Sequence, residues 1–156
     1  WYYIVTASVF DAKYKTPTND WIDTRFNGKY STVVTIGKEW LVGKSKRNTI
    51  SANIKNAFIG GQRDTPIDQE ASRIAKEEIR NENSPFTQQL KDFYKLDIGV
   101  KYIRNKRKYT STLSLDLMNA TNSQNVGGQY YDVENDKIKQ YTMMPFVPVL
   151  SYKVEF

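Results

Sequence analysis

Six segments of the chain alternate apolar and polar residues, the pattern that places successive side chains on opposite faces of a β-strand. The segments cover approximately residues 1–11, 25–42, 48–61, 94–102, 109–117 and 146–156. Each segment has one row of mainly apolar side chains and one mixed or polar row. The chain is therefore predicted to be all-β, with six antiparallel strands.

The fourth segment shows the alternation most clearly. Its apolar face carries Tyr94, Leu96, Ile98, Val100 and Tyr102, and its other face carries Lys95, Asp97, Gly99 and Lys101. At about 3.3 Å per residue, the two tyrosines are about 26 Å apart along the strand, or about 19 Å in depth at a tilt of about 45°. That depth is close to the apolar band of a transmembrane β-barrel, and aromatic residues at both ends are typical of its interfaces.

Long and short connections alternate between these segments. The turns near 43–47 and 104–108 are tight, whereas the connections near 12–24, 62–93 and 119–144 are long. Antiparallel strands then place every long loop at one end of the sheet, as in outer-membrane barrels with long extracellular loops and short periplasmic turns. Within the long loops, the sequence predicts a short helix over 66–80 and a small hairpin over 130–141.

The composition excludes several functional classes. The chain has no cysteine and no histidine, which excludes disulfide frameworks, Cys/His zinc sites and catalysis by an imidazole base. The mean hydropathy is −0.64, and no stretch approaches the roughly 20 apolar residues of a spanning helix. A formal charge of +6 makes nucleic acid, an acidic ligand and an anionic membrane surface worth considering as partners. Because the chain begins within an alternating segment, we expect it to be a fragment.

Two charged patterns suggest a ligand, and each has a simpler explanation. Asp132, Glu134 and Asp136 have the spacing that begins a calcium loop, but Lys137 stands where that loop needs glycine. A charged hairpin tip is therefore favoured. The basic runs at 44–47 and 104–108 would suit nucleic acid, but both fall in predicted tight turns, where solvated basic residues are ordinary. No metal site and no nucleic-acid partner is predicted.

A pair of carboxylates raises the question of catalysis. Asp97 and Asp116 lie on the polar faces of neighbouring predicted strands, where they could be imagined as the paired acids of a hydrolase. Nothing else in the sequence supports catalysis, and a water-filled barrel interior tolerates such carboxylates beside lysines. The sequence therefore predicts no enzymatic activity and no cofactor.

Alternation alone fits a soluble β-sandwich as well as a barrel. The barrel is favoured by the combination of aromatic-bracketed strands, segregated loop lengths and a last strand that alternates up to Phe156. The alternative is a soluble β-sandwich or barrel that binds carbohydrate or nucleic acid.

Several segments, in this order and spacing, together resemble a known family. They read YYIVT at 2–6, GKEW at 37–40, GGQR at 60–63, TPID at 65–68, LDLMNATN at 115–122 and YKVEF at 152–156. With them, the chain resembles the C-terminal part of a TonB-dependent outer-membrane receptor of Gram-negative bacteria over nearly its whole length.

The resemblance implies a fold and a function. The chain would form about six strands of a 22-stranded transmembrane barrel, and the plug domain that contacts TonB would lie outside this sequence. Eight strands are the usual minimum for a closed barrel of this class, so six alone are not expected to close. The whole protein would be an active-transport receptor that binds a scarce solute at the cell surface and imports it into the periplasm with energy relayed by TonB.

The resemblance also implies partners and site residues. The partners would be TonB, the barrel-assembly machinery, outer-membrane lipid and lipopolysaccharide, and in some such receptors a surface lipoprotein. Ligand contacts are expected from Arg63, Asp64, Asp68, Tyr130 and Tyr131 in the long loops. The terminal residues Tyr152, Val154 and Phe156 would form the signal recognised by the assembly machinery.

Overall fold

The computed structural model describes residues 1–156 and contains twelve strands and one short helix. In chain order these are β1 (Tyr2–Val9), β2 (Lys13–Lys15), β3 (Trp21–Asp23), β4 (Tyr30–Val42), β5 (Asn48–Ile59), β6 (Arg63–Asp64), α1 (Gln69–Ala75), β7 (Gln88–Gln89), β8 (Phe93–Asn105), β9 (Thr110–Met118), β10 (Val126–Asp132), β11 (Lys137–Thr142) and β12 (Val147–Glu155). The chain is all-β, as predicted.

The six long strands form one antiparallel sheet, here called the main sheet, in the order β1-β4-β5-β8-β9-β12. The predicted six strands are therefore confirmed, and their sequence order is also their spatial order. The main sheet is open, with β1 and β12 as its two edges. Pro148 lies on the edge strand β12, where a missing N–H is tolerated.

One predicted boundary is wrong by several residues. The second strand was expected from residue 25, but β4 begins at Tyr30. Residues 25–29 form a tight loop instead, in which Asn27 is fully buried and Lys29 has a positive φ of 73°. Contacts to distant residues, described below, hold this loop out of the strand.

The register aligns the apolar rows of all six strands on one face, here called the apolar face. One row across the strands consists of Tyr3, Ile36, Ile54, Ile98, Leu117 and Pro148. The next two rows consist of Lys38, Ala52, Val100, Leu115 and Leu150, and of Trp40, Ile50, Tyr102, Leu113 and Tyr152. The opposite, polar face carries the row Tyr2, Gly37, Asn53, Gly99, Asp116 and Val149.

No other part of the chain covers the apolar face. Ile54 is 50% exposed, Leu115 41% and Leu150 71%. The strands of the main sheet make their extensive contacts only with one another. The buried hydrophobic residues are few, and three of the four lie in the loops: Ala57, Ile67, Leu90 and Tyr131. The main sheet thus lacks the second packed layer that a soluble β-sandwich requires.

All three long connections leave the same end of the main sheet, and both tight turns lie at the other end. The long loops contain three small two-stranded sheets, β2-β3, β6-β7 and β10-β11. The β10-β11 hairpin was predicted, whereas the other two small sheets were not. No helix of the chain is both long enough and apolar enough to cross a membrane.

The predicted helix exists but is shorter than expected. It covers Gln69–Ala75 rather than 66–80. Asp68 caps its N-terminus, accepting a hydrogen bond from the Ala71 amide at 2.9 Å. Lys76 adopts a left-handed conformation with φ of 56° and ends the helix, so the apolar spacing up to residue 79 is not continued as helix.

Candidate functional site

The three long loops pack together at one end of the main sheet, and two arginines join them. Arg63, in β6 of the middle loop, reaches the first loop: its Nη1 lies 3.2 Å from Asp23 Oδ2, and its Nε donates to the Asn27 carbonyl at 3.3 Å. Its Nη1 also donates to the Phe86 carbonyl within the middle loop, at 3.4 Å. The Arg63 side chain is only 15% exposed. It is therefore held by the loops themselves.

Arg80 joins the middle loop to the last loop. Its Nη1 donates to Asp64 Oδ1 at 2.6 Å and to the Thr65 carbonyl at 3.1 Å, and its Nη2 donates to the Gln129 carbonyl at 3.0 Å. Its Nε donates to Glu78 at 2.7 Å. Partial burial lowers the pKa of Arg80, but the hydrogen bond to Glu78 and the negative charge of Asp64 outweigh this and raise it overall. The guanidinium stays charged and satisfies carbonyls from two loops.

Buried asparagines fix the loops to the ends of the strands. Asn27 donates to the carboxylates of Asp11 and Asp23 and accepts from the Ala12 amide at 3.0 Å. Lys29 also bonds Asp11, and this contact first, with Asn27 second, holds the pKa of Asp11 well below its usual range. The buried Asn125 exchanges two hydrogen bonds with the backbone of Tyr94, both at 2.8 Å.

Asn119 closes the end of β9 in the same way. Its backbone N–H donates to Asp97 Oδ1 at 2.9 Å, and its side-chain Nδ2 donates to the carbonyls of Ser123 and Met144, each at 3.1 Å. At 1% exposure it has no access to solvent. These asparagines provide the polar contacts that a loop cluster with few buried apolar residues needs.

The five residues predicted to bind a ligand lie in this loop cluster, but most have structural partners. Arg63 and Asp64 are held as described above, and Asp68 caps α1. Tyr131 is 6% exposed, and its hydroxyl donates to Asp136 Oδ1 at 2.6 Å. Tyr130, by contrast, is 41% exposed. Asp68 and Tyr130 are the two exposed residues of the five, and the Asp68 carboxylate already caps α1.

The hairpin tip uses its carboxylates within the protein. Asp132 accepts the backbone amides of Glu134 and Asn135 at 3.1 and 3.2 Å and forms an ion pair with Lys139. The hydrogen bond with Lys139 is the main reason that the pKa of Asp132 falls from 3.8 to about 2, and it also raises the pKa of Lys139. No group of three or more metal-ligating side chains is arranged around a metal position in the chain.

The polar face of the main sheet carries a shallow depression of about 350 Å³. Asn53, Lys55, Asp97 and Asp116 contribute its polar lining. Asp97 is engaged by Lys95 Nζ at 3.0 Å and by the Asn119 amide. Structure therefore places the two carboxylates considered above around one depression, with Asp97 committed to neighbouring groups.

The residues of the expected assembly signal lie on the edge strand β12. Tyr152 is opposite Leu113 and Val154 is opposite Ser111. The Phe156 ring lies near that of Tyr109, with centroids 6.5 Å apart, and Phe156 is fully exposed. An exposed aromatic edge of this kind needs a partner to remain soluble or ordered.

Comparisons of the chain with protein-family models, with curated proteins and with solved structures find no match. The structure instead identifies residues that the sequence did not single out, above all Arg80 and Asn27. Neither belongs to a recognisable motif. Except for Glu78, the partners of the Arg80 side chain lie 15 to 49 residues away along the chain, and the partners of Asn27 lie up to 36 residues away, so no local pattern marks them.

Proposed function

We propose that this chain is part of the wall of an outer-membrane β-barrel, and that the whole protein is a TonB-dependent receptor importing a scarce solute. The observation that carries the proposal is the apolar face, which is continuous over six strands and uncovered. Tyr30, Phe58 and Tyr94 lie on it near the long loops, and Trp40 and Tyr102 near the short turns. Apart from Lys38 and Asn56, aliphatic side chains fill the space between, as on the lipid-facing side of such barrels.

Energetics favour a lipid environment for this face. Burying a leucine or isoleucine side chain fully is worth about 1.5–3 kcal/mol. Ile54, Leu115 and Leu150 are only partly buried in the main sheet, so each gains only part of this free energy. Lipid acyl chains would supply that burial. The backbone of the sheet is paired internally except along the edges β1 and β12, so further strands must pair there before the wall can stand in lipid. The resemblance described above suggests 22 strands in total.

The loop cluster supports the receptor part of the proposal. Loops supported by Arg63 and Arg80 form an ordered surface at one end of the wall, which suits recognition of a solute outside the cell. The exposed Tyr130 belongs to that surface. The polar face, with Lys55, Asp97 and Asp116, would face the barrel interior.

A labelling experiment distinguishes a membrane wall from a soluble sandwich. This chain contains no cysteine. Any cysteine elsewhere in the full-length protein is replaced by serine, and single cysteines are introduced at Ile98 and Val100 on the apolar face and at Asp97 and Lys101 on the polar face. In native membranes, a fluorophore at 98 or 100 should be quenched by nitroxide-labelled lipid, and one at 97 or 101 should not. Because positions 97 and 101 lie in the same strand as 98 and 100 but on the opposite face, the two pairs of labels serve as controls for each other.

The soluble alternative makes the opposite prediction. If a second sheet packs on the apolar face, probes at 98 and 100 escape lipid quenching, and the protein stays in solution without detergent. Either result would refute the wall assignment.

Transport is tested separately in cells. A strain lacking the full-length protein should grow more slowly than its parent when one of four solutes is limiting: an iron chelate, an oligosaccharide, a peptide or a vitamin. Disrupting TonB should reproduce the defect for the same solute. Equal growth of all strains under all four limitations would contradict the receptor function, even if the chain is confirmed in the membrane.

A further inference from the structure

The two tight turns form a second charged surface at the end of the main sheet opposite the loop cluster. We call this surface the basic rim, and it consists of Lys44, Lys46, Arg47, Arg104, Lys106, Arg107 and Lys108. All seven side chains belong to exposed residues. All ten ion pairs of the chain involve other residues. No carboxylate of the chain therefore lies within 4.0 Å of a cationic nitrogen of the basic rim.

The basic rim is one surface rather than two separate turns. The Asn105 side chain donates to the Arg47 carbonyl at 2.7 Å and so joins the β8-β9 turn to the β4-β5 turn. The Asn48 side chain donates to the Tyr102 hydroxyl at 3.2 Å beside them. Neighbouring strands β5 and β8 hold both turns at the same height.

A further lysine lies on the apolar face, between the middle row and the basic rim. Lys38 is on that face in β4, and its Nζ lies 4.6 Å from the ring centroid of Trp1 and 5.2 Å from that of Trp40. It has no ion-pair partner, and its neighbours in the same row are the apolar residues Ala52 and Val100. A lysine between two tryptophans on an apolar surface is typical of the headgroup level of a membrane.

The opposite end of the sheet has a different charge pattern. There, several cations are paired with carboxylates, as in Lys29 with Asp11, Arg80 with Asp64 and Lys139 with Asp132. Residues 43–47 and 104–108 contain no acidic residue at all. The nearest carboxylate on the edge strand, Glu155, is paired with Lys153 at 2.8 Å. The short-turn end thus combines seven unpaired cations with no acidic residue, whereas unpaired cations at the loop end, such as Lys76 and Lys91, are followed directly by the acidic residues Glu77 and Asp92.

We propose that the basic rim and Lys38 bind the phosphate-bearing headgroups of anionic phospholipids in the leaflet at the short-turn end. The inference rests on the proposed membrane location and adds a lipid preference to it. Anionic lipid is favoured over nucleic acid because the cations border the apolar face directly, and the nearby Trp40, Tyr102 and Tyr109 lie on that face. In a membrane those rings would be in contact with lipid and could not stack on bases.

The expected strength follows from general electrostatics. A basic residue close to an anionic membrane surface contributes about a fivefold gain in affinity, and the effect is screened by salt. Removing four cations from the basic rim should therefore weaken the preference for anionic lipid by at least about tenfold.

The experiment uses the full-length protein in neutral detergent, titrated with short-chain phosphatidylglycerol or phosphatidylcholine and followed by tryptophan fluorescence. The test variant carries R104Q, K106Q, R107Q and K108Q. The control variant carries K15Q, R25Q, K76Q and K91Q, which removes the same charge from exposed loop cations outside the ion pairs. A milder variant, K44Q with R47Q, is used if the test variant fails to fold by circular dichroism.

The native protein should prefer phosphatidylglycerol by at least about tenfold at low salt, and the preference should collapse in 1 M NaCl. The test variant should lose the preference, the milder variant should lose part of it, and the control should keep it. Equal affinity for both lipids, or equal loss in test and control variants, would overturn the proposal. So would binding of a 20-nucleotide oligonucleotide that depends on the basic rim without any lipid preference.

Failure here is separable from failure of the proposed function. Lipid quenching at Ile98 and Val100 depends on the apolar face and not on the basic rim. Quenching without phosphatidylglycerol preference would therefore leave the membrane wall intact and remove only the headgroup site.

Discussion

Gly28 and Gly60 bring two loop backbones into direct contact. A Cβ atom on Gly60 would lie 1.7 Å from the Gly28 carbonyl oxygen, and one on Gly28 would lie 2.3 Å from the Gly60 oxygen. Backbone atoms cannot rotate away as a side chain can. This contact fixes the point where the first long loop enters β4 and the middle long loop leaves β5.

Replacing Gly60 with alanine should lower the free energy of unfolding by about 1–3 kcal/mol, because the loop backbones must separate. Gly99→Ala is the matched control. Its Cβ would meet only side-chain ends, Asp116 Oδ1 at 2.8 Å and Asn53 Nδ2 at 2.9 Å, which can move. Thermal unfolding of both variants in the same detergent measures the difference, and an equal shift in the two would show that the backbone contact has no special weight.

Asp132 gives the β10-β11 hairpin a dependence on acid pH. Its pKa is about 2 in the folded hairpin against an ordinary 3.8, so the folded state favours the carboxylate. The stabilising contribution is complete above about pH 5 and is lost as the pH falls toward the folded pKa. Amide hydrogen exchange of Asn135, measured at stepwise lower pH and corrected for the intrinsic rate, should show opening of the tip. Asp132→Asn should flatten this profile, whereas an unchanged profile would contradict the role of Asp132.

Arg80 connects the middle loop to the β10-β11 hairpin, together with hydrogen bonds between Glu78 and Tyr131 and between Gln69 and Asp136. Arg80→Ala leaves the buried Asp64 carboxylate and the Gln129 carbonyl without these donors. A hydrogen bond to a charged group is worth about 1.5–3 kcal/mol, so local opening of the loops should become at least about tenfold more frequent. Limited proteolysis of the middle loop measures this opening.

Arg73→Ala is the control for that variant. Arg73 is exposed on α1 and pairs only with Glu70 at 3.4 Å, a contact worth about 0.5 kcal/mol or less. Its cleavage rate should stay near that of the native protein. If both variants are cleaved equally fast, Arg80 does not hold the loops together.

The long strands could be predicted from sequence and the loop cluster could not, for a physical reason. Alternation is a local property, and the rows through Ile54 and Ile98 follow it directly. The predicted start of β4 was wrong because Asn27 is held by residues up to 36 positions away. The helix was predicted too long because the conformation of Lys76 is not encoded in apolar spacing. The residues expected to contact a ligand lie in the long loops, and the partners that hold them there were not foreseeable from the sequence.

Over the main sheet as a whole, the two faces and the two ends carry different chemistry. One face is apolar and uncovered, and the opposite face carries lysines and carboxylates. The loop end contains paired charges, and the short-turn end carries the basic rim. A globular protein in water meets the same solvent on every side, so its environment does not favour such a division. A membrane with an aqueous pore provides each of these environments.

Exchanging Ile54 and Lys55 tests that division without changing the composition. Ile54 lies in the middle row of the apolar face, between Ile36 and Ile98, and Lys55 is its neighbour on the polar face. A lysine facing lipid near the bilayer midplane costs about 2–4 kcal/mol, so the double variant I54K/K55I should assemble poorly into the outer membrane. K55I alone should assemble normally, because an aqueous interior tolerates an isoleucine. The amount of folded, heat-modifiable protein in the membrane fraction measures assembly, and normal assembly of the double variant would mean that the apolar face does not contact lipid.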